Sequence, residues 1–99
     1  MITSKQRAYL RGLANDLPAI MQVGKAGITD PLVKTCSDAL EARELIKLHI
    51  LESCNAQPRE TANALAQRLQ ADVVAVTGKK VTFYRRSSGR PVILLPEGK

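Results

Sequence analysis

The 99-residue chain has few side chains suited to stacking on bases. It contains no tryptophan, and its only aromatic residues are Tyr9, Phe83 and Tyr84. Proteins that hold single-stranded nucleic acid by base stacking present several exposed rings. Three aromatic residues cannot easily provide such a surface. We therefore expect an aliphatic core and do not expect a base-stacking platform.

Cysteine and histidine are also scarce. Cys36 and Cys54 form neither a CxxC pair nor a disulfide framework, which favours a reduced cytosolic protein. His49 is the only histidine, and no carboxylate stands at a suggestive spacing from it. Without an acid–base pair, an activated nucleophile or a set of metal ligands, the sequence predicts no enzyme. We expect no catalytic residue, metal, cofactor or small-molecule substrate.

Long hydrophobic segments are missing as well. No apolar run exceeds the four residues of 92–95, far short of the roughly 20 residues that a membrane span needs. The start of the chain has no signal-peptide core. These features predict a soluble, cytoplasmic protein with no membrane partner. A chain of this length has room for a single domain, with its core over about residues 3–95, and we expect a monomer.

What the chain has in excess is positive charge. Fifteen Lys and Arg residues against nine Asp and Glu give +6 at pH 7 and a pI near 9.8. The excess lies at the two ends, since residues 1–34 and 79–99 are basic and residues 35–78 are acidic. Basic ends that meet in space would form a surface for a polyanion. Basic ends that do not meet are simply solvated, and the charge alone leaves both readings open.

Hydrophobic spacing predicts seven elements and a further short strand. The helices begin near Thr3 or Ser4, at Asp30-Pro31 and at Pro58; the strands cover 19–23, 45–52, 73–77, 81–86 and, as a possible edge strand, 92–95; a turn or loop covers 53–57. The order α-β-α-β-α-β-β favours an α/β (α+β) fold with a single mixed four-stranded sheet and helices packed on it. The connection between the strands 73–77 and 81–86, Gly78-Lys79-Lys80, is short enough for a hairpin.

Finer features of the helices also follow from the sequence. In the first helix Leu10, Leu13 and Leu17 form the apolar stripe, Tyr9 packs against the sheet, and Pro18 ends the helix. Asp30 is expected to cap the second helix. Arg43, on the apolar stripe of that helix, is expected to pair with Glu44 or Glu41.

The informative motif is Gly24, Lys25, Ala26 and Gly27, which joins a strand to a capped helix. Glycines at both ends let a ligand approach the backbone, and the amides of such a loop suit a phosphate. Lys25 adds charge at the tip, and Lys34 adds charge one turn into the helix. Taken alone, a GxxG motif is weak, because short glycine-bounded turns are common.

At this point the sequence resembles the CRM-domain family, whose bacterial single-domain members are YhbY-like ribosome-associated RNA-binding proteins. The resemblance is carried by QVGKAGITDPLV, ALEARELIKLHIL and GKKVTFYRR, and it covers roughly residues 3–95. It implies a fold similar to the C-terminal domain of translation initiation factor three, with an added N-terminal helix. It also implies that the GxxG loop, here Gly24 to Gly27, contacts the RNA backbone as in KH domains.

Further RNA-binding residues follow from this resemblance. The basic surface of the family falls on Lys5, Arg7, Arg11, Arg85 and Arg86, to which we add Lys79 and Lys80 of GKKVTFYRR. Two positions depart from the family: Ala26 stands where glycine or asparagine is common, and Arg86 replaces a frequent proline.

The expected function is binding to structured RNA, and the resemblance implies ribosomal RNA in precursors of the large subunit. The alternative is an interaction or architectural module whose basic face binds DNA or an acidic protein. Tyr84 could stack on a base or belong to the core, and the sequence does not decide between the two.

Overall fold

The chain forms three helices and four strands in a computed structural model that describes residues 2–52, 57–89 and 93. In chain order these elements are α1 (Ser4–Ala14), β1 (Met21–Val23), α2 (Asp30–Arg43), β2 (Leu45–Ile50), α3 (Pro58–Leu69), β3 (Asp72–Thr77) and β4 (Lys80–Tyr84). The predicted order is confirmed. The loop predicted over residues 53–57 and the strand predicted over 92–95 fall largely outside the described residues, as does Cys54.

The four strands form one mixed sheet in the order β1-β2-β4-β3. β1 runs parallel to β2, whereas β4 is antiparallel to both β2 and β3. The predicted hairpin joins β3 to β4 through Gly78 and Lys79, and Gly78 has the positive φ (59°) that favours glycine in tight turns. β1 and β3 are therefore the two edges of the sheet.

Helices cover both faces of the sheet because side chains along a strand alternate between its faces. On one face α2 and α3 pack on Ile46, Leu48 and Ile50 of β2 and on Val81 and Phe83 of β4, which form the main core. On the other face α1 is the only described helix, and it buries a smaller cluster. Its members are Ile2, Leu10, Ala14, Leu45, Val74 and Tyr84.

A bulge in β3 adapts this edge strand to α1. Val73 pairs with Phe83 and Ala75 with Thr82, so Val74 has no partner in the register. A bulged residue breaks the strict alternation of faces. As a result the side chain of Val74 packs into the α1 cluster and is only 3% exposed.

Two helix details differ from the sequence-based expectation. α1 starts at the predicted cap, since Thr3 and Gln6 form a reciprocal capping box. It ends at Ala14, however, before the predicted stop at Pro18. α2 is capped by Thr29, whose hydroxyl accepts from Leu32 N at 3.2 Å, and not by Asp30 as predicted.

The buried stripe of α1 is also narrower than the leucine spacing predicts. Leu10 and Ala14, four residues apart, are buried against the sheet. Tyr9 and Leu13 form the neighbouring stripe and are 44% and 41% exposed, so the expected packing of both side chains is wrong. The physical reason is that α2 and α3 pack on the opposite face of the sheet, so among the described elements no helix packs against the side chains that flank Leu10 and Ala14.

Candidate nucleic-acid interface

The GKAG turn (Gly24, Lys25, Ala26 and Gly27) connects β1 to α2 and is closed by a backbone hydrogen bond. Gly27 N donates to Gly24 O at 2.9 Å, which places Lys25 and Ala26 at an exposed tip. The left-handed conformation falls on Gly27 (φ 69°). Ala26 has no positive φ, so an alanine at this position is compatible with the turn. The turn therefore presents a lysine and two backbone amides.

The β3–β4 hairpin lies at the same end of the sheet as the GKAG turn. Val23, the last residue of β1, pairs with Ile50, and Ile50 N donates to Lys79 O at 2.7 Å. One strand, β2, separates the turn from the hairpin, which corresponds to two strand spacings or about 10 Å. The structure thus brings the predicted Lys79 and Lys80 to the same end as Lys25.

The half of the sheet nearest this end is not covered by α1. Pairing across the sheet aligns Gln22, His49, Lys80 and Thr77 in one row on the α1 face. In the next row Lys47 stands beside Thr82. Gln22, Thr77 and Lys80 are exposed, Lys47 and His49 are half-buried, and Thr82 is buried. The first row therefore forms an open polar surface on the sheet face opposite the main core.

Three cations converge on this open surface. Arg11 and Asn15 from the end of α1 line a hollow of about 120 Å³ together with Lys47, Lys80 and Thr82. The sequence-based site included Arg11 and Lys80 but missed Lys47. The sequence did contain a signal for Lys47. This residue alternates with Ile46 and Leu48 along the strand, so its side chain had to point away from the main core.

Two other predicted cations, Lys34 and Lys79, form ion pairs with carboxylates of the protein. Lys34 lies 3.3 Å from Asp38 one turn along α2, and both side chains are largely exposed. Lys79 pairs with Glu52 at 2.7 Å, and its hydrogen bond and charge lower the pKa of that carboxyl. Exposed ion pairs of this kind contribute little to stability, so each lysine can exchange its carboxylate partner for a ligand.

Asp30 is the acidic residue closest in sequence to the GKAG turn, and it is neutralised within the fold. Its carboxylate accepts a hydrogen bond from Arg68 Nη2 of α3 at 2.8 Å. The start of α2 therefore carries less negative charge than the sequence suggests.

The helix α1 supplies a second group of predicted cations. Lys5, Arg7 and Arg11 are exposed, and α1 contains no acidic residue. Arg7 and Arg11 lie one turn apart and both line the edge of the sheet along β3. The N-terminal basic segment is thus joined to the sheet surface through Arg11.

The last predicted cations lie at the opposite end of the sheet. Tyr84 pairs with Leu45, five residues from Ile50 along β2, so Arg85 and Arg86 are remote from the GKAG turn. Arg86 is exposed. Arg85 is held inside, because its guanidinium donates to Leu69 O at 3.0 Å, to Ser37 O at 2.9 Å and to Ser37 Oγ at 3.1 Å. The structure gives Arg85 a packing role that the sequence pattern does not indicate.

The open question about Tyr84 is answered by its burial. Its side chain is 5% exposed and belongs to the α1 cluster, and burial raises its pKa. It is a core residue and presents no ring for stacking.

Two acidic residues near Arg85 hold the end of the described chain. Glu44 is fully buried with a positive φ, and its carboxylate accepts from Ser87 N at 2.7 Å and Ile93 N at 2.6 Å. Glu41 pairs with Arg85 at 3.7 Å. Arg43 is exposed, and the expected ion pair between it and either glutamate is not among the pairs of the described residues.

The structure offers little for catalysis in the part that it describes. The Cys36 thiol is buried, which raises its pKa to about 11 and leaves it protonated at neutral pH. Within residues 2–52, 57–89 and 93, no three His, Cys, Asp or Glu side chains come together as metal ligands. None of the helices described is both long and apolar enough to cross a membrane.

Fold and surface together define a small α+β domain with a basic, glycine-bounded turn at one end of a mixed sheet. The chain belongs to the CRS1/YhbY (CRM) domain family, which matches residues 2–85. This confirms the resemblance found in the sequence.

Similar proteins agree with this assignment. The chain is 38% identical over 96 residues to the "Probable RNA-binding protein YqeI" of Bacillus subtilis, covering 97% of this chain and all of that protein. It is 28% identical over 86 residues to an RNA-binding protein of Haemophilus influenzae, covering 87% of each. The solution structure of SAV1595 from Staphylococcus aureus, a hypothetical protein and candidate RNA-binding protein, has a TM-score of 0.82 at 40% identity, covering 97% of this chain and all of that one.

Proposed function

We propose that this protein binds structured RNA through the GKAG turn and the cations beside it, without catalysis. The carrying observation is that the exposed Lys25 and Ala26 stand at the same end of the sheet as Lys79 and Lys80. The names of the similar proteins in Bacillus and Haemophilus support RNA as the polyanion.

The mechanism is recognition of the sugar–phosphate backbone. The tip amides of the GKAG turn donate to one phosphate, and Lys25 adds a point charge that neutralises it. Lys47, Lys80 and Arg11 neutralise phosphates that pass over the open half of the sheet. Affinity then falls steeply with salt, because each neutralised phosphate releases counterions.

The family resemblance supports a more specific role. We propose that the RNA is ribosomal, that it is bound in precursors of the large subunit, and that the protein acts in their assembly in the cytoplasm as a monomer. Crosslinking in cells followed by sequencing of the bound RNA tests this role. Enrichment of large-subunit ribosomal RNA supports it, and enrichment of unrelated transcripts contradicts it.

The loop is tested by Lys25→Asp combined with Ala26→Asp. Both residues are exposed, so we expect thermal stability to be unchanged and RNA affinity to fall. Ala42→Glu with Arg43→Glu is a matched control, because it makes the same charge change at exposed positions near the other end of α2. Fluorescence anisotropy with a structured ribosomal RNA fragment measures both. If the folded loop variant binds RNA as tightly as the control variant does, the GKAG turn does not contribute to RNA binding.

Selectivity for RNA is tested with duplex DNA of the same length. We expect structured RNA to bind more tightly across a salt titration, because the sequence offers no recognition helix rich in base-reading side chains for the major groove of DNA. Equal affinity for both would favour the alternative of a general polyanion-binding module.

A further inference from the structure

A second basic surface lies along β3, the sheet edge farthest from the GKAG turn. It is a groove of about 430 Å³ whose floor is the outer side of β3. Arg7 and Arg11 of α1 form one wall, and Arg59 and Asn63 of α3 form the other. The two helices lie on opposite faces of the sheet, so the groove wraps around its edge.

The charges in the groove have no ion-pair partner among the residues that the structure describes. Arg7, Arg11 and Arg59 take part in none of the ion pairs between described residues. Glu60 follows Arg59 on α3 but is turned by about 100° around the helix axis. Asp72 stands at the start of β3, where it pairs with Tyr84 at the end of the sheet away from Arg11. Three arginines thus face a single channel.

This groove is continuous with the hollow on the open sheet surface. Arg11, Ala75 and Thr77 line both, so the two meet where the end of β3 approaches α1. A path of positive charge leads from Lys47 and Lys80 past Arg11 and on to Arg59. Along β3 alone, residues 73–77 span about 13 Å.

The chemistry of the groove favours a nucleic-acid backbone over a peptide. An extended peptide would add to the free edge of β3, but the bulge at Val74 interrupts the regular spacing of the edge amides and carbonyls. Guanidinium groups match phosphate oxygens in a planar, two-pronged geometry. None of the described residues that line the groove is aromatic, so these residues would not stack on bases.

We propose that this groove holds a single-stranded segment of the bound RNA by its phosphates, with Arg59 as a contact on the side of the sheet opposite α1. The inference rests on the proposed function and extends it, since the RNA would pass from the open sheet surface around the edge of β3. Arg59 carries no signal in the sequence, because it lies in the acidic middle segment.

Arg59→Gln and Arg7→Gln test the groove. RNA affinity is measured by anisotropy against salt, with a structured fragment that carries a single-stranded extension. We expect each variant to bind about fivefold more weakly. The slope of log affinity against log salt should fall by about 0.7 for each arginine removed. Arg43→Gln removes one exposed charge outside the groove and should leave the salt slope unchanged.

A second variant tests the groove without removing an arginine. Asn63→Asp places a carboxylate among the three arginines, and we expect it to weaken binding more than Gln67→Glu, which makes the same change one turn further along α3. Circular dichroism verifies that every variant is folded.

The outcomes separate this inference from the proposed function. If the unmodified protein and the groove variants bind RNA with the same affinity and salt slope, the groove proposal is wrong although the protein binds RNA. An extended peptide that binds at β3 while RNA affinity is unaffected by Arg59→Gln also overturns it. If the unmodified protein binds no RNA, the proposed function itself fails.

Discussion

Arg85 provides a sharp test of how the basic residues divide between folding and binding. Its sequence context, GKKVTFYRR, suggests an RNA contact. In the structure its guanidinium instead joins α2 to the end of α3, through Ser37 and the Leu69 carbonyl, and its side chain is 20% exposed. We predict that Arg85→Ala lowers stability and leaves the affinity for RNA unchanged.

The magnitude follows from the contacts that are lost. A hydrogen bond from a charged group contributes about 1.5–3 kcal/mol, and Arg85 makes three, two of them to Ser37. Because the side chain is partly exposed and its acceptors can rebind water, we expect a total of about 2–4 kcal/mol. That loss corresponds to a fall in Tm of about 10–20 °C for a domain of this size.

Urea unfolding followed by circular dichroism measures the loss, and the adjacent Arg86 supplies the control. Arg86→Ala removes the same charge from an exposed position, so its free energy of unfolding should stay within about 0.5 kcal/mol of the original. Arg85→Lys should recover only part of the lost stability, because a single ammonium group cannot reach all three acceptors at once. An Arg85→Ala variant as stable as Arg86→Ala, or a folded one with weakened RNA binding, would refute the reasoning.

Two further predictions concern titratable groups. In a Cys54→Ser variant, Cys36 should react with Ellman's reagent at pH 8 only on unfolding, because burial raises its pKa to about 11; rapid labelling of the native protein would contradict this. Hydrogen bonds from the backbone and hydroxyl of Ser88 lower the pKa of Glu41 below its usual 4.5. Glu41 therefore stabilises the fold above about pH 4.5, and this contribution is lost as the pH falls through the lowered pKa. Glu41→Gln should lack this acid-dependent loss in thermal melts; identical acid profiles would show that the contact is not formed.

The order of the elements could be predicted because each has a strong local signal. Alternation in β2 assigned Ile46, Leu48 and Ile50 to one face, and Pro31 and Pro58 marked the starts of α2 and α3. The sheet order β1-β2-β4-β3 has no such local signal. It depends on contacts between distant segments, and the sequence predicted a mixed sheet without an order for its strands.

The candidate site was predictable in part for the same reason. The GKAG turn is local, and its position at one end of the sheet follows from its place after β1. Whether Arg85 and Arg86 join it depends on which end of β4 meets the turn, and the antiparallel register of β4 with β2 places them at the far end. Lys47 and Arg59 were missed because neither lies in a basic stretch of sequence.

The helix α1 ends earlier than the sequence predicts, and this difference affects the proposed site. Had the helix continued to Pro18 as the leucine spacing predicts, three more residues would extend it by about 4.5 Å. Ala14 and Asn15, at the present end of the helix, already line the hollow with Arg11, Lys47 and Lys80, so an extension of α1 would begin beside this hollow. A helix that stops at Ala14 buries Leu45, Val74 and Tyr84 and leaves the adjoining polar row uncovered. The same short α1 therefore both completes the smaller core and exposes the surface on which RNA is proposed to bind.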